Sequence, residues 1–172
     1  TAGTNGLATV DASAATGAVT IDFTTGTVGI ATAGLTVSTG AGADVLTFGT
    51  AATVSTGAGD DTVTLGGAST VDLGAGADIV TTSAHASTIT GGAGADDFRV
   101  AASVSAANMT TITDIAAGDK ITFVNHGTEV FNATKVDVGS ATTLSDALNT
   151  AAAGDGGTTN SIISWFQYGG NT

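Results

Sequence analysis

The chain has no cysteine and no proline, and it carries only three basic residues among 172. It is also poor in aromatics, with six Phe, one Trp and one Tyr. Each shortage removes a class of explanation. Without cysteine there are neither disulfide staples nor thiolate metal sites, and without proline the turns must be made by glycine. Arg99, Lys120 and Lys135 are the whole basic complement, which argues against nucleic acid and anionic membranes as partners. No run of about 18 apolar residues exists to enter a membrane, and Thr1–Gly6 has neither the basic nor the apolar part of a leader. So few aromatic rings make a bulky interior improbable.

What is present is equally lopsided. Gly (26), Ala (32) and Thr (34) make up more than half of the chain. Fourteen of the 15 acids are Asp, Glu129 being the exception, and the formal charge is −12. A solvated helical surface would favour Glu, the better helix former, whereas Asp suits turns and hard-cation sites.

Apolar residues recur at Val10, Val19, Val28, Val37, Leu46, Val54, Val63, Val71, Val80, Ile89 and Phe98, in steps of nine with two of eight. Short β-prone triplets such as Thr62-Val63-Thr64 surround them, separated by Gly, Ala and Ser turns. A second period of about eighteen lies over the first. Every other turn reads GxGxD or a close variant: Gly40–Asp44, Gly57–Asp61, Gly74–Asp78 and Gly92–Asp96. Two strands and two turns make one coil of a flattened solenoid, and the Asp turns then stack along one edge. The expected fold is all-β, a right-handed parallel β-roll over 1–102, with 1–38 lacking the acidic motif and 39–102 carrying it. A small β-rich cap over 103–172 is expected to follow, with strands at 111–115 and 120–123, one short helix at 144–153 and a strong strand at 162–168 whose partner is expected beyond Thr172.

Glycines alternating before an Asp let main-chain carbonyls turn towards a common point. Hard carbonyl and carboxylate oxygens select Ca²⁺, and a chain with only His85 and His126 offers little to softer metals. Stacked Asp44, Asp61, Asp78 and Asp96 would lie about one strand spacing apart, roughly 4.8 Å, so an uncompensated row opposes closure. Cation binding and folding are therefore expected to be one event.

The four turns resemble the RTX nonapeptide GGxGxDxUx, a calcium-binding β-roll repeat. Gly91–Arg99 matches it in full, and the other three turns replace its first Gly with Thr39, Thr56 and Leu73. The resemblance implies three bracketed Ca²⁺ sites. The first would take Gly40, Gly42 and Asp44 with Thr56, Ala58 and Asp61. The second would take Gly57, Gly59 and Asp61 with Leu73, Ala75 and Asp78. The third would take Gly74, Gly76 and Asp78 with Gly91, Ala93 and Asp96. Half-sites are left at Thr39, Ala41 and Asp44 and at Gly92, Gly94 and Asp96. Asp114 and Asp119 resemble a cap turn that in such proteins can hold a further ion, against an ordinary Asp turn.

No HExxH, GxSxG or GxxxxGK is present, so no enzyme activity is expected of these residues. The Ala/Thr/Gly-rich, Cys-free composition together with the roll motif is similar to bacterial surface-layer (S-layer) proteins of the RTX type. That resemblance implies a secreted structural protein at the cell surface. It would be exported by type I secretion machinery, fold in extracellular calcium and self-associate into a two-dimensional lattice, without inserting into the membrane. The alternative is the folding and secretion module of a metalloprotease, lipase or adhesin.

Overall fold

The computed structural model describes residues 6–24, 34–101 and 108–124, together with the backbone strands 130–131 and 162–163. The chain divides into two units, Thr1–Val124 and Asn125–Thr172. In the first, among the described residues, twelve strands alternate between two sheets. They are β1 (Thr9–Asp11), β2 (Thr20–Phe23), β3 (Leu35–Ser38), β4 (Val45–Phe48), β5 (Ala52–Ser55) and β6 (Thr62–Leu65), followed by β7 (Thr70–Asp72), β8 (Ile79–Thr81), β9 (Thr88–Thr90), β10 (Asp97–Ala101), β11 (Thr111–Ile112) and β12 (Lys120–Val124). One sheet runs β1-β3-β5-β7-β9-β11 and the other β12-β10-β8-β6-β4-β2. All neighbours pair in parallel, so each strand returns beside the next-but-one: this is the parallel β-roll the repeat predicts.

The strands are three to five residues long, or two in β11, and alternate inward apolar with outward polar side chains, as in Thr62-Val63-Thr64-Leu65. Inward Val37, Leu46, Val54, Val63, Val71, Val80, Ile89 and Phe98 form the buried spine of the core, so the nine-residue period from Val37 onward is read correctly from sequence. Full burial of one such side chain stabilises by about 1.5–3 kcal/mol. Leu35, Phe48, Leu65 and Leu73 widen the core at the ends of the strands, and Phe23 stacks on Phe48 with ring centroids 5.4 Å apart.

Upstream, the structure departs from the period. Val10 pairs with Val37 directly and Ile21 with Leu46, so one coil of 27 residues stands where the eighteen-residue period allots a coil and a half and would set Val10 and Val37 in opposite sheets. Val19 ends a turn half-buried instead of occupying a strand centre, and Val28 lies outside the described residues. Equal spacing of valines satisfied the count, but pairing is decided by which residue faces inward at the right height.

Downstream, the roll runs on beyond the expected boundary at 102: β11 pairs with β9 and β12 with β10, making Thr111–Val124 a further coil. The two expected strands at 111–115 and 120–123 are thus a rung of the roll, displaced in sequence because 23 residues separate Thr88 from its partner Thr111. In the second unit β13 (Val130–Phe131) pairs in parallel with β14 (Ile162–Ile163), so the start of the 162–168 segment has a partner within the chain. The expected helix at 144–153 lies outside the described residues.

The edge without the acidic motif is closed differently. Buried Ser69 accepts from the Ala52 amide (3.1 Å), donates to the Gly67 carbonyl (3.0 Å), and gives its own amide to Ser87 Oγ (3.2 Å).

Candidate metal centre

The motif-bearing edge consists of four short turns stacked on one another. Thr39, Gly40, Ala41, Gly42 and Asp44 lie over Thr56, Gly57, Ala58, Gly59 and Asp61. These lie over Leu73, Gly74, Ala75, Gly76 and Asp78, and these in turn over Gly91, Gly92, Ala93, Gly94 and Asp96. Ala41, Ala58, Ala75 and Ala93 form a column of parallel bridges at the turn centres. At each step the central Ala amide donates to the carbonyl of the preceding turn, as Ala58 to Gly40 (2.8 Å). Its own carbonyl accepts from the following glycine of that turn, Gly42 (2.8 Å). Glycine is required by this close stacking: at Gly74 (φ +93) an added Cβ would run into the Gly57 carbonyl oxygen. Thr39 and Thr56 add a further tie, their hydroxyls donating to the Thr56 and Leu73 carbonyls at 2.9 and 2.6 Å.

Inside this edge runs a column of carboxylates. Asp44, Asp61, Asp78 and Asp96 are buried, each with at most 2% of its surface exposed. Their Oδ1 atoms each accept a main-chain N–H from the preceding rung. Val19 donates to Asp44 (2.7 Å), Asp44 to Asp61 (2.8 Å), Asp61 to Asp78 (2.7 Å) and Asp78 to Asp96 (2.9 Å). Asp119 extends the column, accepting from the Asp96 amide at 3.0 Å. The sequence period missed this fifth member because 23 residues separate it from Asp96, whereas the others are 17 or 18 apart.

The second oxygen is the anomaly. Oδ2 of Asp44, Asp61, Asp78 and Asp96 is buried and has no hydrogen-bond partner. An unmatched buried polar atom is costly, the more so when it bears charge. Burial, above all, pushes the carboxyls of Asp61 and Asp96 above the ordinary range and that of Asp78 up to about 6, with neighbouring Asp charges adding in the same direction. The Asp row thus presents unsatisfied negative charge, at a regular interval, to the interior of the turn stack.

The residue set fits a hard cation. The expected carbonyl ligands are brought to the same edge, where most already accept a bond. Those of Gly40, Gly57 and Gly74 accept from the Ala58, Ala75 and Ala93 amides, those of Ala58, Ala75 and Ala93 from the Gly42, Gly59 and Gly76 amides, and those of Thr56 and Leu73 from the Thr39 and Thr56 hydroxyls. A carbonyl has two lone pairs, so one N–H does not exhaust it. Among the described residues no three His, Cys, Asp or Glu side chains converge on one point. A cation here would therefore rest on one or two carboxylates plus main-chain oxygens, the donor set that suits Ca²⁺. His85 lies in the turn between β8 and β9, on the edge without the acidic motif, exposed and joined to Ser83 Oγ at 3.0 Å. Comparison of the chain with protein-family models, curated proteins and solved structures gives no match.

Proposed function

We propose that this chain is a structural calcium-binding module whose acidic edge closes when divalent cations neutralise it. We further propose that it serves outside the cell in a self-associating surface layer reached through type I secretion. The observation that carries the calcium reading is the row of four buried carboxylates, each with one unpartnered oxygen. Asp44 with Asp61, Asp61 with Asp78, and Asp78 with Asp96 would each hold one ion, helped by main-chain oxygens of the turns between them. Calcium, when bound, supplies the positive charge and oxygen coordination that these carboxylates lack. The residues themselves hold the turns in register through the Ala column and keep water from the carboxylates by burial.

Three features support a structural role. Each inter-rung position joins two coils, so occupancy would be linked to the roll's existence more directly than to any exposed surface. The roll also continues upstream of the motif through β1 and β2, as a longer solenoid would. Extracellular calcium sites commonly have dissociation constants of about 10⁻⁴–10⁻³ M, which would leave the chain unfolded in the cytosol and able to fold after export.

The deciding experiment is circular dichroism of the chain in excess EDTA and in millimolar calcium. A calcium-dependent gain of β signal supports the reading, and identical spectra would end it. Electron microscopy of the calcium-loaded protein then tests the lattice. Ordered sheets support a surface layer, whereas discrete particles favour the folding module of a secreted enzyme.

A further inference from the structure

We infer that the turn Thr113–Asp119 is the built-in end of the acidic row: Asp114 and Asp119 close the last rung with hydrogen bonds and take no cation of their own. The inference rests on the calcium reading above for the ions it counts, and it sets where their row stops.

The observation is a contrast between rungs. In Asp44, Asp61, Asp78 and Asp96 one carboxylate oxygen is satisfied and the other is not. In Asp119 both are satisfied, Oδ1 by the Asp96 amide at 3.0 Å and Oδ2 by the Ala116 amide at 2.7 Å. Asp114 is satisfied at both oxygens as well, by the amides of Gly91 (2.8 Å) and Gly92 (2.7 Å). One N–H leaves each of these oxygens a further lone pair, so what sets Asp114 and Asp119 apart is electrostatic: main-chain dipoles meet their charge at both oxygens, whereas the other four carboxylates are met at one only.

Asp114 also replaces a missing ladder bond. At the first position of the other turns, the amides of Thr39, Thr56 and Leu73 donate to main-chain carbonyls of the next coil, those of Ser55, Asp72 and Thr90. At the equivalent Gly91 the acceptor is the side chain of Asp114. The backbone of the last turn has therefore left the path that the other four share. Its one positive-φ glycine, Gly118 (φ 114), would meet only ordinary contacts if given a Cβ, the nearest being Ala95 Cβ at 3.6 Å. The column of Ala bridges ends at Ala93 among the described residues. Among the described residues no main-chain amide of this turn donates to the Gly92 carbonyl, as those of Ala58, Ala75 and Ala93 do to Gly40, Gly57 and Gly74, so the linked carbonyl pair that flanks the earlier carboxylates is not repeated beside Asp119.

The test is calcium stoichiometry of the full chain by isothermal titration calorimetry, comparing the parent with Asp114→Asn, Asp119→Asn and, as a ligand control, Asp78→Asn. Asp114→Asn and Asp119→Asn should bind as many ions as the parent, with the calcium midpoint of folding raised roughly two- to five-fold by the lost charge-assisted bond. Asp78→Asn should bind fewer. Loss of an ion in either Asp114→Asn or Asp119→Asn would overturn the inference. Should a variant fail to fold, amide exchange in the unmodified folded chain decides: slow exchange at Gly91, Gly92 and Ala116 supports the clamp, and fast exchange there overturns it. A parent that binds no calcium would sink the proposed function, whereas slow exchange at these amides would still support the hydrogen-bonded closure.

Discussion

The amide of Asp61 donates to Oδ1 of Asp78 at 2.7 Å, while Oδ2 of the same carboxylate is buried without a partner. One side chain thus fixes the spacing of two coils and also leaves charge unanswered between them. Repeated along the edge, this geometry makes the stacking that shapes the roll the source of its electrostatic weakness.

Asp78→Asn separates the two roles. The amide oxygen can still accept from Asp61, and the charge is gone. In EDTA the variant should be more β-structured than the parent, because a buried unpaired charge has been removed. In calcium it should be less stable, with a higher calcium midpoint, because a ligand has been lost. Circular dichroism against calcium concentration reads both, and a shift of the same sign in both conditions would contradict the dual role.

Gly74→Ala tests whether the turn stack itself needs glycine. The residue has φ +93 and lies against the Gly57 carbonyl, so a methyl group meets both an unfavourable backbone region and a backbone atom that cannot move aside. Summing about 1–2 kcal/mol for the dihedral and about 1–3 kcal/mol for overpacking, the loss should be about 3 kcal/mol in calcium. Ala77→Gly, at an exposed position in the same turn, should cost under about 1 kcal/mol by urea unfolding.

The roll was legible in the sequence wherever one inward residue per strand and one acidic turn per coil repeated together, from Val37 to Phe98. It was misread where only one signal survived. Val10, Val19 and Val28 keep the interval but not the turn, and Ile21 takes the inward place expected of Val19. Asp114 and Asp119 keep an acidic turn, but the 23-residue offset hid their membership of the roll. The candidate ligands could be named because Gly and Asp mark turn positions, while the inter-turn bonds to the Ala amides depend on stacking geometry that no local pattern encodes.

The last coil is also held from its outer face. Asp97, its side chain 14% exposed, accepts from Arg99 Nε (2.9 Å) and Thr122 Oγ1 (2.9 Å) and lies 3.2 Å from Lys120 Nζ. Burial works against its charge, but these three partners outweigh it and hold the carboxyl below the usual range. Asp97→Ala should cost about 2 kcal/mol in urea unfolding with calcium present, through loss of charge-assisted bonds in a shielded spot. Lys120→Ala should cost less than about 1 kcal/mol, its side chain being 65% exposed and screened.

Acid should do part of the work of calcium. The folded carboxyl of Asp78 is pushed up to about 6 and those of Asp61 and Asp96 are raised, whereas in the unfolded chain they titrate near 4. Between these values the folded form binds more protons than the unfolded one, so stability increases as pH falls through this window and declines as pH rises through about 6. Asp11, Asp22 and Asp97 have lowered values, so their opposing contributions are lost only below the ordinary carboxylate range. In EDTA the β signal should therefore grow from pH 7 to pH 4. In calcium it should weaken over the same range, because protons compete for the carboxylates that would hold the ion. General loss of negative charge would also favour compaction in acid, and Asp61→Asn/Asp78→Asn separates the two causes. If the row is responsible, the EDTA profile of this double variant flattens. A profile as steep as the parent's would place the effect elsewhere on the surface.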